Sequence, residues 1–214
     1  MPAKKPFAKI TGVKKIFDGF LSVTRYKIEA DRHAGGTLIV EREVMERGRA
    51  VGVLGYDPTR DEVLLVNEMR PGPLVAGDGG FSDALPAGMI DKGERPMQAA
   101  LREMKEETGM ELKDPQIIHP GAYVSPGGTT ERITLVFGTL DMGKAGGVHG
   151  KLSESEDIKT VILKADEFIA RAENGQITDM KTLVAAFWLA QHRTEIRSRK
   201  PDVRNAKAGP SRPA

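Results

Sequence analysis

The sequence contains no cysteine among its 214 residues, which excludes disulfide bonds, thiolate catalysis and cysteine-ligated zinc. It also lacks any apolar run near the roughly 20 residues that a membrane-spanning helix needs, so we expect no membrane partner. The formal net charge is only +2, which argues against nucleic acid as the main partner. The first ten residues, MPAKKPFAKI, lack the apolar centre of a signal sequence, and we therefore expect a cytoplasmic protein.

The rest of the composition is that of an ordinary globular protein, with 39% hydrophobic and 29% charged residues. This length suits one good-sized domain with a modest extension. The pattern of charge, proline and apolar residues divides the chain into four parts. They are a flexible N-terminus at 1–12, a small β subdomain at 13–47, a main domain at 48–194 and a disordered basic tail at 195–214.

Hydrophobic periodicity predicts a mixture of strands and helices, which gives an α/β fold class. Alternation on both sides of a glycine turn at 33–36 predicts a small antiparallel sheet from strands at 20–28 and 37–40. Residues 71–83 are rich in glycine and proline and are expected to form a loop. The other predicted strands are 50–54 and 62–66, joined as a hairpin, and 116–118, 122–124, 133–137 and 161–163.

Three helices are predicted in the main domain, at 95–108, 165–172 and 178–193. Gly109 follows the first of them and is a plausible C-cap. In the last helix the spacing of Leu183, Phe187 and Ala190 places these side chains towards the core.

The helix at 95–108 carries three glutamates, Glu103, Glu106 and Glu107, whose spacing of three and four residues puts their carboxylates on one face. Like charges at this spacing destabilise a helix unless something neutralises them. One interpretation is a solvated face on which Arg102 and Lys105 balance the charge. The other is a site for a hard divalent cation, and Mg²⁺ is the usual one where phosphates are handled.

The segment from Gly88 to Met110 matches the pattern G-x5-E-x7-R-E-U-x-E-E-x-G-U at every fixed position, where U is a bulky aliphatic residue. On these residues the chain resembles the Nudix hydrolase family, which cleaves nucleoside diphosphates linked to another moiety. The resemblance implies a mixed-sheet α/β/α sandwich, here preceded by the β subdomain, with 48–194 as the catalytic domain.

The resemblance also assigns roles within the motif. Glu103 and Glu107 would hold Mg²⁺ (Mn²⁺ is a possible substitute) and so serve catalysis, with Glu106 nearby and the backbone carbonyl of Ala87 as a further ligand. Glu94 and Arg102 would brace the loop against the helix. Gly88 and Gly109 would be structural.

Downstream, the run SPGGTTER at 125–132 is similar to the ADP-ribose pyrophosphatase branch, with Pro126 at the substrate site. By itself Pro126 is equally a rigid turn between strands. The branch implies cleavage of a small nucleotide sugar, ADP-ribose, to AMP and ribose 5-phosphate. Two alternatives remain: another nucleoside diphosphate sugar such as GDP-mannose, or a catalytically silent nucleotide-binding module.

A second acidic run, at 154–158, is either a solvated loop or part of the site. Hydrolysis needs a base that takes a proton from the attacking water, and this base need not lie on the metal-binding helix. The resemblance implies that Glu154 is the base and Glu156 a metal contact, although the two could exchange roles.

Three more residues match substrate-binding positions of the same branch. Arg70 corresponds to an arginine that grips phosphate, and Arg42 to one that reaches across a homodimer into the neighbouring site. Phe20 corresponds to an aromatic residue that stacks on adenine. Surface salt bridges or core packing would also explain these residues. If the resemblance holds, residues 13–47 mediate dimerisation and complete the partner's site.

Overall fold

The computed structural model describes residues 6–151 and 155–198. The strands are β1 (Ala8–Asp18), β2 (Ser22–Asp31), β3 (Thr37–Glu46), β4 (Arg49–Asp57), β5 (Glu62–Met69), β6 (Phe81–Ala84), β7 (Ala87–Met89), β8 (Lys113–Tyr123), β9 (Arg132–Thr139), β10 (Val148–His149) and β11 (Ile158–Lys164). The helices are α1 (Pro71–Ala76), α2 (Pro96–Thr108), α3 (Ala165–Glu173) and α4 (Met180–Ser198), with a 3₁₀ turn at Met142–Lys144. Within these residues no helix combines the length and apolar character that crossing a membrane requires.

The strands form two sheets. The first is a small antiparallel sheet in the order β1-β2-β3. The second has the order β10-β11-β5-β4-β9-β8, with β6 paired to β5 and β7 paired to β4. Its β4 and β9 run parallel, whereas β4 and β5 form an antiparallel hairpin. The predicted mixed sheet and small N-terminal antiparallel sheet are therefore confirmed.

Along each buried strand of the large sheet, apolar side chains alternate between the two faces. Both faces are therefore apolar, and helices cover both. Leu65 of β5 belongs to a core that also contains Phe168 of α3 and Leu189 of α4. Its neighbour Leu64 belongs to a second core, on the other face, together with Met104 of α2. The result is an α/β/α sandwich in which α2 is the only α-helix of the described residues that contributes to the second core.

The N-terminal sheet differs from the prediction at its start. Strand β1 begins at Ala8, inside the range that the sequence assigned to a flexible N-terminus. Its lysines and Gly12 hide the alternation, and its pairing with β2 contains two register shifts. The predicted strand at 20–28 was placed too early, because Gly19 makes a turn in which its N–H donates to the carbonyl of Leu21 (3.1 Å).

The expected loop at 71–83 is also wrong, since it contains α1 and most of β6. Pro71 starts α1, as proline suits the first helical position, and Gly77 ends it with a left-handed backbone (φ 86°). Phe81 then pairs with Met69 at the end of β5. The density of glycine and proline hid two short elements that those residues delimit.

The inner face of the last helix was predicted correctly at Leu183 and wrongly at Phe187 and Ala190. Leu183 is partly buried and packs against the core, whereas Phe187 is 43% exposed and Ala190 is exposed. The buried residues of α4 are Thr182, Ala185, Ala186, Leu189 and Ile196. The small side chains of Ala185 and Ala186 let α4 approach the sheet closely. The large size of Phe187 is therefore what made the predicted inner face wrong at that position. The helix also runs to Ser198, past the predicted boundary at 194, and the remainder of the predicted tail, 199–214, lies outside the described residues.

Candidate active site

The helix that carries the glutamates, α2, has well-defined ends close to the predicted ones. At its start the backbone N–H of Arg95 donates to Oε1 of Gln98 (3.1 Å), and Pro96 takes the first turn. At its end Gly109 adopts a left-handed backbone (φ 68°), and its N–H donates to the carbonyl of Lys105 (2.9 Å). Because buried Met104 anchors the helix to the sheet, the glutamates beside it are held in place.

Glu103 and Glu107 point towards strand β7, and both are buried, with 8% and 3% of their surface exposed. The backbone N–H of Ala87 donates to Oε2 of Glu107 (3.0 Å). A Cβ added to Gly88 would lie 1.9 Å from Oε1 of Glu103, so any larger residue there would displace that carboxylate. The motif glycine is thus explained by a close approach between a strand and a side chain.

Arg102 connects α2 to the loop that precedes it. Its Nε and Nη2 donate to the two oxygens of Glu94 (3.0 and 2.9 Å), and Nη2 also donates to the carbonyl of Met89 (3.0 Å). Its Nη1 donates to Glu103 (2.7 Å) and Glu106 (3.2 Å). A guanidinium shared among so many acceptors supports the bracing role expected for Glu94 and Arg102.

Burial shapes the electrostatics of these carboxylates. It raises the pKa of Glu107 to about 8, and the nearby charges of Glu68 and Glu103 also raise it, although the N–H of Ala87 opposes them. Burial likewise raises the pKa of Glu103, against the effect of Arg102. Without a cation, the charged form of these buried groups is therefore disfavoured.

The side of α2 that carries Glu103, Glu106 and Glu107 forms an acidic face. Its chemistry fits a hard divalent cation, because it offers buried oxygen donors in a region of excess negative charge. Among residues 6–151 and 155–198, however, no three acidic or histidine side chains are already arranged as a finished metal site. The carboxylates are instead paired with basic groups: Arg102 binds Glu103 and Glu106, and Nζ of Lys151 lies 2.9 Å from Oε2 of Glu106.

Glu156 of the downstream acidic run lies near these carboxylates. Oε2 of Glu156 accepts a hydrogen bond from the backbone N–H of Lys151 (3.0 Å), and Lys151 is the residue that pairs with Glu106. The charge of Glu156 contributes to raising the pKa of Glu103, so the two carboxylates are close enough to interact. Glu154, the expected base, lies outside the described residues.

Sequence reasoning missed one carboxylate beside the acidic face, that of Glu68 near the end of β5. Its carboxylate forms an ion pair with Arg70, and burial raises its pKa, with Arg70 opposing and Glu156 adding to the shift. The signal was available in the alternation of β5. Glu68 is two and four residues beyond Val66 and Leu64, so it shares the sheet face that α2 covers.

The predicted substrate residues lie in different places. Arg70 joins the acidic face through Glu68, as described above. Pro126 is exposed in a turn closed by the N–H of Gly128 and the carbonyl of Ser125 (3.1 Å). Arg42 is exposed on β3, where its Nη1 donates to the carbonyl of Glu41 (2.8 Å). Phe20 is 98% exposed in the turn between β1 and β2, so the chain by itself does not bring it to the acidic face.

Comparison with known proteins supplies the family. The NUDIX domain model matches residues 46–182. An ADP-ribose pyrophosphatase of Haemophilus influenzae is 35% identical over 85% of this chain and 85% of its own length. An ADP-ribose pyrophosphatase of Escherichia coli strain K12 is 31% identical over 89% of this chain and 91% of its own. A GDP-mannose pyrophosphatase of Pectobacterium atrosepticum is 31% identical over 84% and 90%.

These matches cover both the acidic helix and the sheet that supports it. They confirm the family resemblance read from residues 88–110 and the predicted fold class. The predicted class of enzyme, a hydrolase of pyrophosphate bonds, is confirmed with them. This chain belongs to the Nudix hydrolase family.

Proposed function

We propose that this protein is a Mg²⁺-dependent pyrophosphohydrolase that cleaves ADP-ribose to AMP and ribose 5-phosphate. The observation that carries the proposal is the buried pair of Glu103 and Glu107 against β7, in a chain similar along most of its length to proteins named ADP-ribose pyrophosphatase. Burial of two like charges is costly, so their presence indicates a cationic ligand.

Nudix hydrolases generally need a divalent metal ion, and we assign Mg²⁺ here, with Mn²⁺ as a substitute. The proposed ligands are the carboxylates of Glu103, Glu106, Glu107 and Glu156 and the carbonyl of Ala87. A bound ion of this kind would neutralise phosphate charge and lower the pKa of a water molecule. Arg102 and Lys151 form ion pairs with Glu103 and Glu106, so a bound cation would share this face with two basic side chains.

The remaining proposed roles concern proton transfer and binding of the substrate. Glu154 takes the proton from the attacking water, and Glu156 is the alternative base. Arg70 holds phosphate through its guanidinium, which is suited to paired hydrogen bonds with phosphate oxygens. Pro126 shapes the turn at the substrate site.

We further propose a homodimer in the cytoplasm, in which Phe20 and Arg42 complete the partner's site. The support is the set of large apolar side chains exposed on and beside the β1-β2-β3 sheet: Ile10, Val13 and Leu38 on one face, Phe17 and Ile39 on the other, Phe7 before β1 and Phe20 in the turn after it. A three-stranded sheet with so much exposed apolar surface needs a covering partner.

One alternative substrate has a specific observation in its favour. The relative named GDP-mannose pyrophosphatase matches nearly as much of the chain, at 31% identity. A catalytically silent binding module is disfavoured, because a binder has no need for the repulsion between Glu103 and Glu107.

The proposal is tested by the turnover of a panel of compounds with Mg²⁺: ADP-ribose, GDP-mannose, UDP-glucose, NADH and ATP. We expect fast release of AMP from ADP-ribose, and its loss in Glu107→Gln. Glu111→Gln is a matched control, because Glu111 follows the same helix but is exposed and pairs only with Lys105 among the described contacts. Turnover of GDP-mannose without turnover of ADP-ribose would overturn the substrate, and no turnover of any compound would favour the binding module.

A further inference from the structure

Glu68, near the end of β5, and Arg70, just beyond that end, lie beside the acidic face. Along β5, Leu64 packs in the core under α2, whereas Leu65 packs in the opposite core. Asn67 continues the second series, since its amide Nδ2 donates to Asp83 (2.6 Å) beside the pocket that Arg171 lines. Glu68 continues the series of Leu64 and therefore points to the side of α2, and Arg70, which follows the strand, contacts it there.

The two side chains are in direct contact. One guanidinium nitrogen of Arg70, Nη2, forms an ion pair with Oε1 of Glu68. Only 13% of the Glu68 side chain is exposed, and its Oε1 accepts a hydrogen bond from none of the described residues, so the ion pair with Arg70 is the contact that balances its charge. The backbone of Arg70 is fixed as well, because its N–H donates to the carbonyl of Gly80 (2.7 Å).

The glutamates of α2 compete with Glu68 for the guanidinium of Arg70. Its charge acts on the pKa of Glu107 as well as on that of Glu68, so it lies within electrostatic reach of the glutamates of α2. A long, flexible arginine in such a field would be drawn to those carboxylates unless a nearer one held it. Glu68, two residues away on the same face, is that nearer group.

We propose that Glu68 is a positioning residue that holds Arg70 at the edge of the acidic face, ready to bind a phosphate group of the substrate. This inference rests on the proposed function, in which Arg70 grips phosphate. The guanidinium has five N–H donors, so a contact with one carboxylate oxygen leaves donors for a phosphate. Holding the side chain in place before binding also reduces the entropy that binding would otherwise cost.

The test compares Glu68→Gln, Arg70→Ala and the double variant in steady-state turnover of ADP-ribose at saturating Mg²⁺. We expect Glu68→Gln to raise KM about tenfold, the scale of losing one charge-assisted hydrogen bond between Arg70 and phosphate, with kcat changed less than about twofold. In the Arg70→Ala background the same substitution should have no further effect. Glu68→Asp, which keeps the charge, should recover part of the loss.

Glu62→Gln is the matched control. Glu62 lies at the other end of β5, is similarly shielded and forms an ion pair with Lys164, so its loss tests for a general effect of removing a carboxylate from this strand. Its KM should equal that of the wild type.

Binding of inorganic pyrophosphate without metal, measured by calorimetry, repeats the comparison independently of the substrate. If ADP-ribose is not turned over, the proposed function fails, but weaker pyrophosphate binding in both Glu68→Gln and Arg70→Ala still supports the positioning role.

The inference is wrong if Arg70→Ala weakens binding and Glu68→Gln does not, or if the two effects add in the double variant. It is also wrong if Glu68→Gln weakens Mn²⁺ binding, measured from the paramagnetic signal of free Mn²⁺, because Glu68 would then be a metal ligand.

Discussion

Glu103 lies directly against the backbone of Gly88, with no space between them for a methyl group. A Cβ at position 88 would lie 1.9 Å from Oε1 and 2.1 Å from Cδ of Glu103. The side chain of Glu103 is also held by Arg102, so the carboxylate cannot retreat without breaking that hydrogen bond. The two residues therefore constrain each other, and the position of the carboxylate depends on the glycine.

Gly88→Ala is expected to lower kcat/KM by at least about tenfold, because it displaces a proposed metal ligand by more than the small distance that catalysis tolerates. The measurement is steady-state turnover at several Mg²⁺ concentrations. Gly72→Ala is the control, since a Cβ at Gly72 in α1 meets nothing within 4 Å. Equal activity of Gly88→Ala and wild type would contradict a role for Glu103 at this place.

The stability of the metal-free protein should fall as the pH rises. The pKa of Glu107 is raised to about 8 by burial, above an unfolded value of about 4.3. A group whose folded pKa is raised contributes stability below its unfolded pKa, and that contribution is lost as the pH rises through the folded value.

The measurement is the unfolding temperature in the presence of a chelator between pH 5 and pH 8.5, for wild type and Glu107→Gln. Glutamine does not titrate, so the wild type should lose stability relative to the variant as the pH increases. A difference that stays constant with pH would contradict the raised pKa.

Arg102→Lys is expected to lower the free energy of unfolding by roughly 1–3 kcal/mol, the usual range for leaving buried polar groups unpaired. Lysine keeps the charge but cannot serve Glu94, Glu103 and the carbonyl of Met89 together, as the planar guanidinium does. Urea denaturation measures the effect. Arg95→Lys, at the start of the same helix and exposed, should change stability by less than about 0.5 kcal/mol.

The elements that the sequence predicted well are those fixed by local spacing. The hairpin of β4 and β5, the limits of α2 and the cap at Gly109 follow from neighbouring residues, and the structure confirms them. The juxtaposition of α2 with β7 was implied only by the family motif, since no local signal joins Gly88 to Glu103.

What could not be predicted depends on contacts between distant segments. Phe187 has the size of a core residue but lies outside, because Ala185 and Ala186 let α4 approach the sheet on another side. The alternation of β5 puts Glu68 on the same side as Leu64, but which side of β5 meets α2 is a property of the assembled sheet. Phe20 was placed in a strand, although the turn that contains it is set by the pairing of β1 with β2.

Arg193 should be important for the stability of α4. Its Nε donates to Oδ1 of Asp61 (2.8 Å), and its other nitrogens contact Asp61 and Asp166. Arg193→Ala removes the main partner of a carboxylate that is largely shielded from solvent, and we expect a loss of about 2 kcal/mol in urea denaturation. The more exposed Arg197, which reaches the same carboxylate at 3.1 Å, should matter less, so a larger loss for Arg197→Ala would contradict this order.

The proposed dimer predicts that the full chain sediments at twice its monomer mass of 23.3 kDa. Val13→Glu should shift the chain to a monomer, because it places a charge in the exposed apolar surface of β1 without disturbing a buried core. Lys14→Glu, on the opposite face of the same strand, is the control and should leave the mass unchanged. A monomeric wild type would contradict the dimer.

Strand β5 supplies side chains to two cores at once, and this limits how the protein can change over evolution. A deletion of one residue between Glu62 and Asn67 would move every later residue of the strand by one position. Each of their side chains would then point to the opposite face of the sheet. After deletion of Val63, for example, Leu65 would take the place of Leu64 with little harm, but Glu68 would take the place of Asn67 and Met69 that of Glu68. Such a deletion removes only one residue of a core strand, but it would move the charge of Glu68 from the acidic face to the side of Asp83. Length variation among relatives is therefore expected in the turns on either side of β5 and not within it.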